Sequence, residues 1–265
     1  MTNYKNLCLA AAELARETGL FIRTERENAG IEVESKGKND FVTQFDKEAE
    51  RRLVAGLEKL LPESGFIAEE STSTKRGQRF NWIIDPIDGT TNFIHGLFPY
   101  AISVGLMENE RMVTGVVYEA GLDECFYAWD NGPAMVNQKE IKVSQKPTVA
   151  DSLIATGFPY TNFSLMEPFM ESLDYFMKNS HGMRRLGSAA ADLVYLACSR
   201  FDAFYEYDLK PWDVAAGAFI VQQAGGKVAD FSGGNNYIFG RQIMASNALI
   251  FDEFSERVSH FLAPR

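Results

Sequence analysis

The residues most able to do chemistry in this chain follow a short apolar run. Trp82, Ile83 and Ile84 favour a strand, and the sequence continues Asp85-Pro86-Ile87-Asp88-Gly89-Thr90-Thr91-Asn92. Because proline donates no hydrogen bond to a strand ladder, we expect the strand to end on Asp85. Glycine lets backbone approach a ligand closely, and the hydroxyl and amide residues after it are typical helix caps.

Two carboxylates beside free helix N–H groups would suit a divalent cation that is itself bound to a phosphate. Carboxylate oxygens are the ligands that Mg²⁺ prefers, and a helix N-terminus attracts the anion. Asp85 and Asp88 are equally compatible with an ordinary Asx-Pro turn followed by a capped helix. The spacing alone therefore leaves a metal-phosphate site and a structural turn open.

The length and composition of the chain bound the size of its core and the number of its domains. With 265 residues the chain can build a sizeable core. Since the sequence shows no low-complexity linker, we expect one domain over residues 1–265, made of two fused lobes at roughly 1–145 and 146–265.

The charge of the chain indicates which classes of partner it can bind. The formal net charge of −10 is not offset by any local run of lysine and arginine, which argues against direct nucleic-acid binding. Acidic side chains would repel a phosphate, so an acidic protein that acts on one is expected to need cations.

The N-terminal segment and the cysteines bear on the compartment. Residues 1–20 mix apolar and charged side chains, so we expect neither a signal peptide nor a membrane span. Cys8, Cys125 and Cys198 are odd in number and widely spaced, which favours free thiols over a zinc site or a redox pair. A cytoplasmic protein is the expectation.

Hydrophobic patterning predicts a mixture of helices and strands, and by itself supports only the α+β class. Helices are expected over residues 7–23, from Asp46 to Pro62, and over 189–197, 211–224 and 252–261. Strands are expected at residues 65–68, 82–85, 101–107, 113–118, 124–128, 152–156 and 201–207, and two short apolar runs follow at 237–239 and 243–245. A flexible loop is expected over residues 28–40, a small hairpin is possible between 135–136 and 141–143, and residues 163–178 stay unassigned.

Three sequence elements resemble signatures of the inositol monophosphatase family, and they occur in family order. Asp85 to Phe93 is similar to the first signature, Trp212-Asp213-Val214-Ala215-Ala216-Gly217 to the second, and Phe66-Ile67-Ala68-Glu69-Glu70-Ser71 to the acidic segment upstream. With Gly187-Ser188-Ala189, the resemblance covers essentially the whole chain, and the one departure is Ala68, where many members carry glycine. It implies a layered αβαβα sandwich, a homodimer, and a lithium-sensitive, Mg²⁺-dependent phosphatase.

The resemblance also assigns ligands for two or three Mg²⁺ ions. It implies that Glu69, Asp85 and the Ile87 carbonyl hold the first ion, that Asp85, Asp88 and Asp213 hold the second, and that Glu69 helps to hold a third. Unpaired, four such acids would repel one another strongly, which is a physical reason to expect a counterion. Lys36 aligns with a loop lysine near the third ion, although a solvated loop lysine is the simpler interpretation.

The catalytic roles implied by the resemblance belong to Thr90, Asp46 and Glu69. Thr90, oriented by Asp46, would position the attacking water together with Glu69. Asp46 and Thr90 could also be plain helix caps. For the substrate, the resemblance implies that N–H groups of Gly89 and Thr90 hold phosphate oxygens, and that the sugar-alcohol hydroxyls are held by Gly187, Ser188, Ala189, Glu206 and Asp213, with Asp88 also at the substrate.

These features favour hydrolysis of myo-inositol monophosphate to myo-inositol and phosphate. Histidinol-phosphate phosphatase, fructose-1,6-bisphosphatase and adenosine bisphosphate nucleotidase share the fold and the metal acids, and histidinol phosphate is the nearest rival. A regulatory, protein-binding role is the non-enzymatic alternative. No Gly-x-Ser-x-Gly elbow or Gly-x-x-x-x-Gly-Lys loop is present, and His95, His181 and His260 are too scattered for a zinc triad.

Overall fold

The computed structural model describes residues 2–28, 31–37 and 40–263. In this part of the chain the helices are α1 (Tyr4–Asn28), α2 (Gln44–Leu60), α3 (Thr90–His95), α4 (Met166–Asn179), α5 (Ala189–Ala197), α6 (Pro211–Gln223) and α7 (Phe251–Leu262), with a 3₁₀ turn at Val149–Asp151. The strands are β1 (Val33–Gly37), β2 (Asp40–Thr43), β3 (Gly65–Ala68), β4 (Phe80–Asp88), β5 (Ala101–Glu108), β6 (Arg111–Glu119), β7 (Glu124–Trp129), β8 (Met135–Val136), β9 (Lys139–Glu140), β10 (Leu153–Thr156), β11 (Gly182–Arg184), β12 (Ala203–Tyr207), β13 (Gly226–Ala229) and β14 (Gln242–Asn247).

A seven-stranded sheet forms the first half of the structure, in the order β3-β4-β5-β6-β7-β8-β9. The antiparallel meander β5-β6-β7 follows the sequence prediction. Trp82 and Ile84 point to the face covered by α1 and α2, whereas Ile83 points to the opposite face, as the two-residue period of a strand requires. The sheet is therefore buried on both sides.

A five-stranded sheet, in the order β11-β10-β12-β14-β13, forms the second half. On strand β12, Phe204 packs into the apolar cluster of α5 and α6, and Tyr205 packs on the other face with α4 and α7. Helices α5 and α6 also contact the first sheet, so they lie between the two sheets. The layers are thus helix, sheet, helix, sheet, helix, which confirms the expected α+β sandwich.

Helix α2 begins as a capping box, and this feature also serves the site. Thr43 is its N-cap, and the side-chain hydroxyl of Thr43 accepts from the Phe45 N–H at 3.1 Å. The Asp46 carboxylate accepts from the Thr43 N–H at 2.8 Å. Asp46 therefore lies in the first turn, as predicted, and its side chain is fully buried.

Several local predictions were wrong. Residues 28–40 were expected to form a loop, but α1 continues to Asn28, and strands β1 and β2 pair antiparallel. Residues 29–30 and 38–39 of this stretch lie outside the described residues. The apolar run 237–239, for which no element was predicted, forms a turn, and the Asp230 carboxylate accepts from three N–H groups ahead of it. The partner of β8 is β9 at residues 139–140, not 141–143.

Other short elements were missed or left open. The unassigned stretch contains helix α4, and strands β11 and β13, of three and four residues, were not predicted. Strands this short owe their pairing to neighbouring strands more than to local pattern. Within the described residues, no helix has both the length and the apolar composition needed to cross a membrane.

Candidate active site

A bulge at the end of strand β4 brings Asp85 and Asp88 to the same side of the sheet. The strand does not stop at Asp85, as the sequence predicted, but continues through Pro86 to Asp88. Asp85 lies opposite Ser103 and Asp88 opposite Ala101, so three steps along β4 match two steps along β5. The extra residue reverses the alternation that would otherwise send the two side chains to opposite faces.

Helix α6 supplies a third carboxylate to this group. Pro211 occupies its first turn, and the Lys210 N–H donates to Oδ2 of Asp213 at 2.7 Å. Carboxylate oxygens of Asp85, Asp88 and Asp213 all lie within 4.8 Å of one another. Glu69 extends the pairing of β3, since its N–H donates to the Ile84 carbonyl at 3.2 Å, and it lines the same cavity.

Asp85 and Asp213 are buried, Asp88 is half-buried, and the three carboxylates oppose one another electrostatically. Burial raises the pKa of Asp85 well above its usual range, and the negative charges of Glu69, Asp88 and Asp213 raise it further. Burial raises the pKa of Asp88 to about 6, although hydrogen bonds from Ser188 and Ala190 act in the opposite direction. Burial, followed by the charge of Asp88, also raises the pKa of Asp213.

This cluster fits a divalent cation that prefers oxygen ligands. Among the residues that the structure describes, no lysine or arginine forms an ion pair with Asp85, Asp88 or Asp213. Three carboxylates this close, two of them buried and none in an ion pair within the described residues, are costly unless they are protonated or bind an ion. An all-oxygen donor set of this kind suits Mg²⁺ or another hard ion.

Thr90 and Asp46 are joined by a hydrogen bond across 44 residues of sequence. The Thr90 hydroxyl lies 3.2 Å from Oδ1 of Asp46 and 3.0 Å from the carbonyl oxygen of Ile87. Oδ2 of Asp46 is held by the backbone N–H and the hydroxyl of Thr43. Asp46 is therefore both part of the helix cap and the acceptor that orients Thr90.

Thr90 is not a helix cap, contrary to one of the two interpretations of the sequence. The N-cap of α3 is Gly89, which makes no side-chain hydrogen bond and has a φ of 93°. A Cβ atom at this glycine would lie 3.1 Å from the Gly187 carbonyl and 3.2 Å from the Pro99 carbonyl. The left-handed conformation and the close backbone both favour glycine.

The N-terminus of α5 points at Asp88. Ser188 is the N-cap and its hydroxyl donates to Oδ2 of Asp88 at 2.6 Å. The Ala190 N–H donates to the same oxygen, also at 2.6 Å. Both donors and the helix dipole favour the ionised carboxylate and fix its direction. Gly187, Ser188 and Ala189, expected to contact substrate hydroxyls, lie beside the carboxylate cluster.

The site lies in a cavity of about 420 Å³. Glu206, at the end of β12, lies on its wall, and its carboxylate packs so tightly on Gly157 that a Cβ atom there would come within 2.2 Å of all three carboxyl atoms. Burial raises the pKa of Glu206 well above its usual range, and Arg185 partly opposes this. The cavity is lined by Glu69, Asp85, Ile87, Asp88, Gly89, Thr90, Thr91, Gly157, Phe158, Pro159, Tyr160, Phe163, Arg185, Gly187, Ser188, Ala189, Glu206, Leu209 and Asp213.

The structure thus brings together all the predicted site residues except two. Asp46 lies behind Thr90 and outside the cavity lining. Lys36 lies in strand β1, but its side chain is outside the described part of the chain. Its suggested place near a third ion stays a prediction.

Part of the cavity wall was missed by the sequence analysis. Phe158, Pro159, Tyr160 and Phe163 come from the segment after β10, and Arg185 comes from the segment before α5. The guanidinium of Arg185 lies 5.4 Å from the ring centroid of Phe158. The available signal was the aromatic run that follows Gly157 at the end of a buried strand.

Comparisons with known proteins agree with this geometry. The profile of the inositol monophosphatase family matches residues 3–260. A protein of Neisseria meningitidis serogroup B named "Putative Nus factor SuhB" is 37% identical over 260 residues, which cover 98% of this chain and 99% of that protein. An inositol-1-monophosphatase of Mesorhizobium japonicum is 36% identical, over 91% of this chain and 88% of that protein.

Solved structures agree on the fold. The extragenic suppressor protein suhB of Bartonella henselae superposes with a TM-score of 0.88 at 34% identity, and the match covers 94% of this chain and 97% of that one. The order of elements, the acidic cluster at the end of β4 and the match of both sequence and structure over nearly the full length lead to one conclusion. The chain belongs to the inositol monophosphatase family.

Proposed function

We propose that this protein is a Mg²⁺-dependent phosphomonoesterase that hydrolyses myo-inositol monophosphate to myo-inositol and phosphate. The observation that carries the proposal is the cluster of Asp85, Asp88 and Asp213, which have oxygens within 4.8 Å of one another and line one cavity. Water is the nucleophile in this proposal, and Mg²⁺ held by these residues would lower the pKa of that water and offset charge on the leaving oxygen.

The proposed ligands come from three segments of the chain. Glu69, Asp85 and the Ile87 carbonyl would hold one ion, and Asp85, Asp88 and Asp213 a second. Glu69 would also contribute to a third, and Lys36 would lie near it. The hydrogen bonds to Asp88 and Asp213 support this assignment, because they leave each carboxylate oriented before any ion arrives.

Thr90, Asp46 and Glu69 are the proposed catalytic group. Asp46 accepts from the Thr90 hydroxyl, so a lone pair of the Thr90 oxygen can accept a hydrogen bond from the attacking water. As the water loses a proton to Thr90, the hydroxyl proton of Thr90 would pass to the Asp46 carboxylate. Glu69, at the cavity wall, would position the same water from the other side. Backbone N–H groups of Gly89 and Thr90 would hold phosphate oxygens.

The alcohol would bind at the opposite wall. Glu206, Ser188, Asp213 and the backbone of Gly187 and Ala189 present mainly acceptors, which suits the hydroxyl donors of a polyol ring. Histidinol phosphate stays the nearest alternative, since its amine would also meet Glu206. Arg185, which lines the same wall, would oppose that cationic amine and so favours a neutral ring.

The deciding experiment measures kcat/KM side by side on inositol 1-phosphate, histidinol phosphate, fructose 1,6-bisphosphate and adenosine 3′,5′-bisphosphate. We expect inositol 1-phosphate to be preferred and Li⁺ to inhibit. A preference for histidinol phosphate above about tenfold, roughly 1.4 kcal/mol in transition-state binding, would overturn the substrate but keep the metal mechanism. Full activity in EDTA would overturn the metal mechanism itself.

A regulatory, protein-binding role is the second candidate, supported by the relatives that carry the name Nus factor SuhB. It is tested by affinity capture with the Asp88→Asn protein, which should lack turnover yet retain a partner if the two roles are separate. A homodimer is also proposed, on family grounds, and sedimentation equilibrium measures it.

A further inference from the structure

Two residues other than glycine, at the adjacent ends of neighbouring strands, adopt the left-handed backbone conformation. Asp208 follows β12 with a φ of 70°, and Arg241 precedes β14 with a φ of 63°. The Asp208 N–H donates to the Arg241 carbonyl at 2.7 Å. Residues other than glycine rarely adopt this conformation. Where they do, surrounding contacts hold the backbone in place, often near functional sites.

The Asp208 carboxylate joins three separate segments. It is fully buried, and the Arg241 guanidinium donates to Oδ1. Oδ2 accepts from the Thr161 hydroxyl and, at 2.9 Å, from the Asn162 N–H. A buried carboxylate needs such partners, so removal of either side of the ion pair should disturb what it holds.

The segment that the Asp208 carboxylate holds forms part of the wall of the active-site cavity. Thr161 and Asn162 belong to residues 157–163, which have no regular secondary structure. This segment contributes Phe158, Tyr160 and Phe163 to the cavity. Phe158 and Phe163 are 48% and 47% exposed, so apolar burial holds these two rings only in part.

The two ends of the segment face different parts of the site. Gly157 packs on the carboxylate of Glu206, and Phe158, Tyr160 and Phe163 line the same cavity. Within the described part of the chain, the hydrogen bonds of the Asp208 carboxylate go to Thr161, Asn162 and Arg241, and none goes to Asp85, Asp88 or Asp213. The segment therefore borders the space for the alcohol part of a phosphate ester.

We propose that Asp208 is a positioning residue that, with Arg241, holds residues 157–163 against the cavity and thereby determines affinity for the alcohol part of the substrate. The kinetic consequence rests on the proposed phosphatase function. The structural consequence does not, because the order of the segment can be measured without turnover.

The first experiment measures amide hydrogen exchange of the whole protein. Arg241→Ala and Asp208→Gly should each raise exchange at residues 157–163 by about tenfold or more, whereas Arg111→Ala, which removes a similar arginine–aspartate pair from a distant hairpin, should not. Asp208→Gly relieves the backbone conformation but removes the carboxylate. Wild-type protection in that variant would therefore show that the carboxylate holds nothing, and would overturn the proposal.

The second experiment separates KM from kcat at saturating Mg²⁺. Arg241→Ala should raise KM for inositol 1-phosphate by about fivefold or more and change kcat by less than about twofold, with partial recovery in Arg241→Lys. The increase should be smaller for glycerol 2-phosphate, whose alcohol is smaller than a six-membered ring. A fall in kcat at constant KM, or equal effects on both esters, would overturn the positioning role.

Other variants keep the proposal testable if Asp208→Gly does not fold. Arg241 is half exposed and Thr161 is exposed, so Arg241→Ala and Thr161→Val probe the same contacts from the surface. Unchanged exchange and unchanged KM in both would refute the proposal. A wild-type protein without phosphatase activity would refute the proposed function instead, and the exchange measurement would still decide whether Asp208 holds the segment.

Discussion

Asp85 and Asp88 present carboxylate oxygens within 4.8 Å of each other, although a regular strand would direct residues three apart to opposite faces. The bulge at Pro86 and Ile87 makes this possible. Proline, which cannot join a strand ladder, is placed where the ladder is already interrupted. The same two residues therefore end regular pairing and bring the acids together.

Replacement of Asp85 or Asp88 by asparagine should lower kcat by about three orders of magnitude, because each change removes one anionic ligand from a shared ion site. The fold should persist, since the asparagine side chain has nearly the same shape. Steady-state kinetics and circular dichroism measure the two effects. Asp174→Asn, an exposed acid on α4, serves as the matched control. Wild-type kinetics in either ligand variant would refute the assignment.

Stability of the metal-free protein should fall as pH rises from about 4. Burial raises the folded-state pKa of Asp85, Asp88 and Asp213, to about 6 for Asp88, above the value of roughly 3.9 in the unfolded chain. The folded state then binds more protons than the unfolded state, so the free energy of unfolding decreases across this interval and beyond.

Mg²⁺ binds the ionised carboxylates, so it should raise the melting temperature more at about pH 8 than at about pH 5. Differential scanning calorimetry with and without Mg²⁺ at each pH gives the comparison. An equal rise in melting temperature at both pH values would mean that Mg²⁺ does not bind these aspartates.

Thr90→Val should lower kcat by about a hundredfold with little change in KM, since the hydroxyl bonded to Asp46 is lost while the side-chain volume is kept. Thr90→Ser should recover most of the rate, because serine restores the hydroxyl. Stability should fall by only about 1–2 kcal/mol, because the buried Asp46 carboxylate loses one donor while the N-cap of α3 is Gly89 and is unchanged. A loss of stability well beyond this range in Thr90→Val would show that the residue is mainly structural.

Gly157→Ala should destabilise the protein by about 1–3 kcal/mol, because the new methyl group would overlap the Glu206 carboxylate. In a Glu206→Ala background the same change should cost less, since the obstructing carboxylate is gone. Chemical denaturation of the four proteins forms a double-mutant cycle. Strict additivity would contradict the close contact between the two residues.

The places of the three aspartates were predictable from the sequence in two steps. Local pattern put Asp85, Asp88 and Asp213 at the end of a strand or the start of a helix, where proline, glycine and apolar runs mark the boundary. The family resemblance, and not the spacing, put them in one site. The helices that build the layers, α4 excepted, were predictable from local pattern. Membership of the family and the sandwich fold are confirmed, whereas the boundary between two lobes near residue 145 stays a prediction.

The cavity wall could not be predicted in this way. Residues 157–163 have no periodic pattern, and their position depends on Asp208 and Arg241, which are far away in sequence. The bulge in β4 was also missed, because proline is read as a stop unless the pairing with β5 is known. Contacts between distant segments decide both features, and a single sequence does not display them.

The carboxylate cluster draws on both halves of the molecule, since Asp85 and Asp88 end a strand of the first sheet and Asp213 lies in the first turn of a helix in the second half of the chain. An ion held by all three would be a reversible cross-link that closes a very long loop. Such a cross-link would restrain the separation of the two sheets. A chelator should then not only stop turnover but also shorten the lifetime of the folded state.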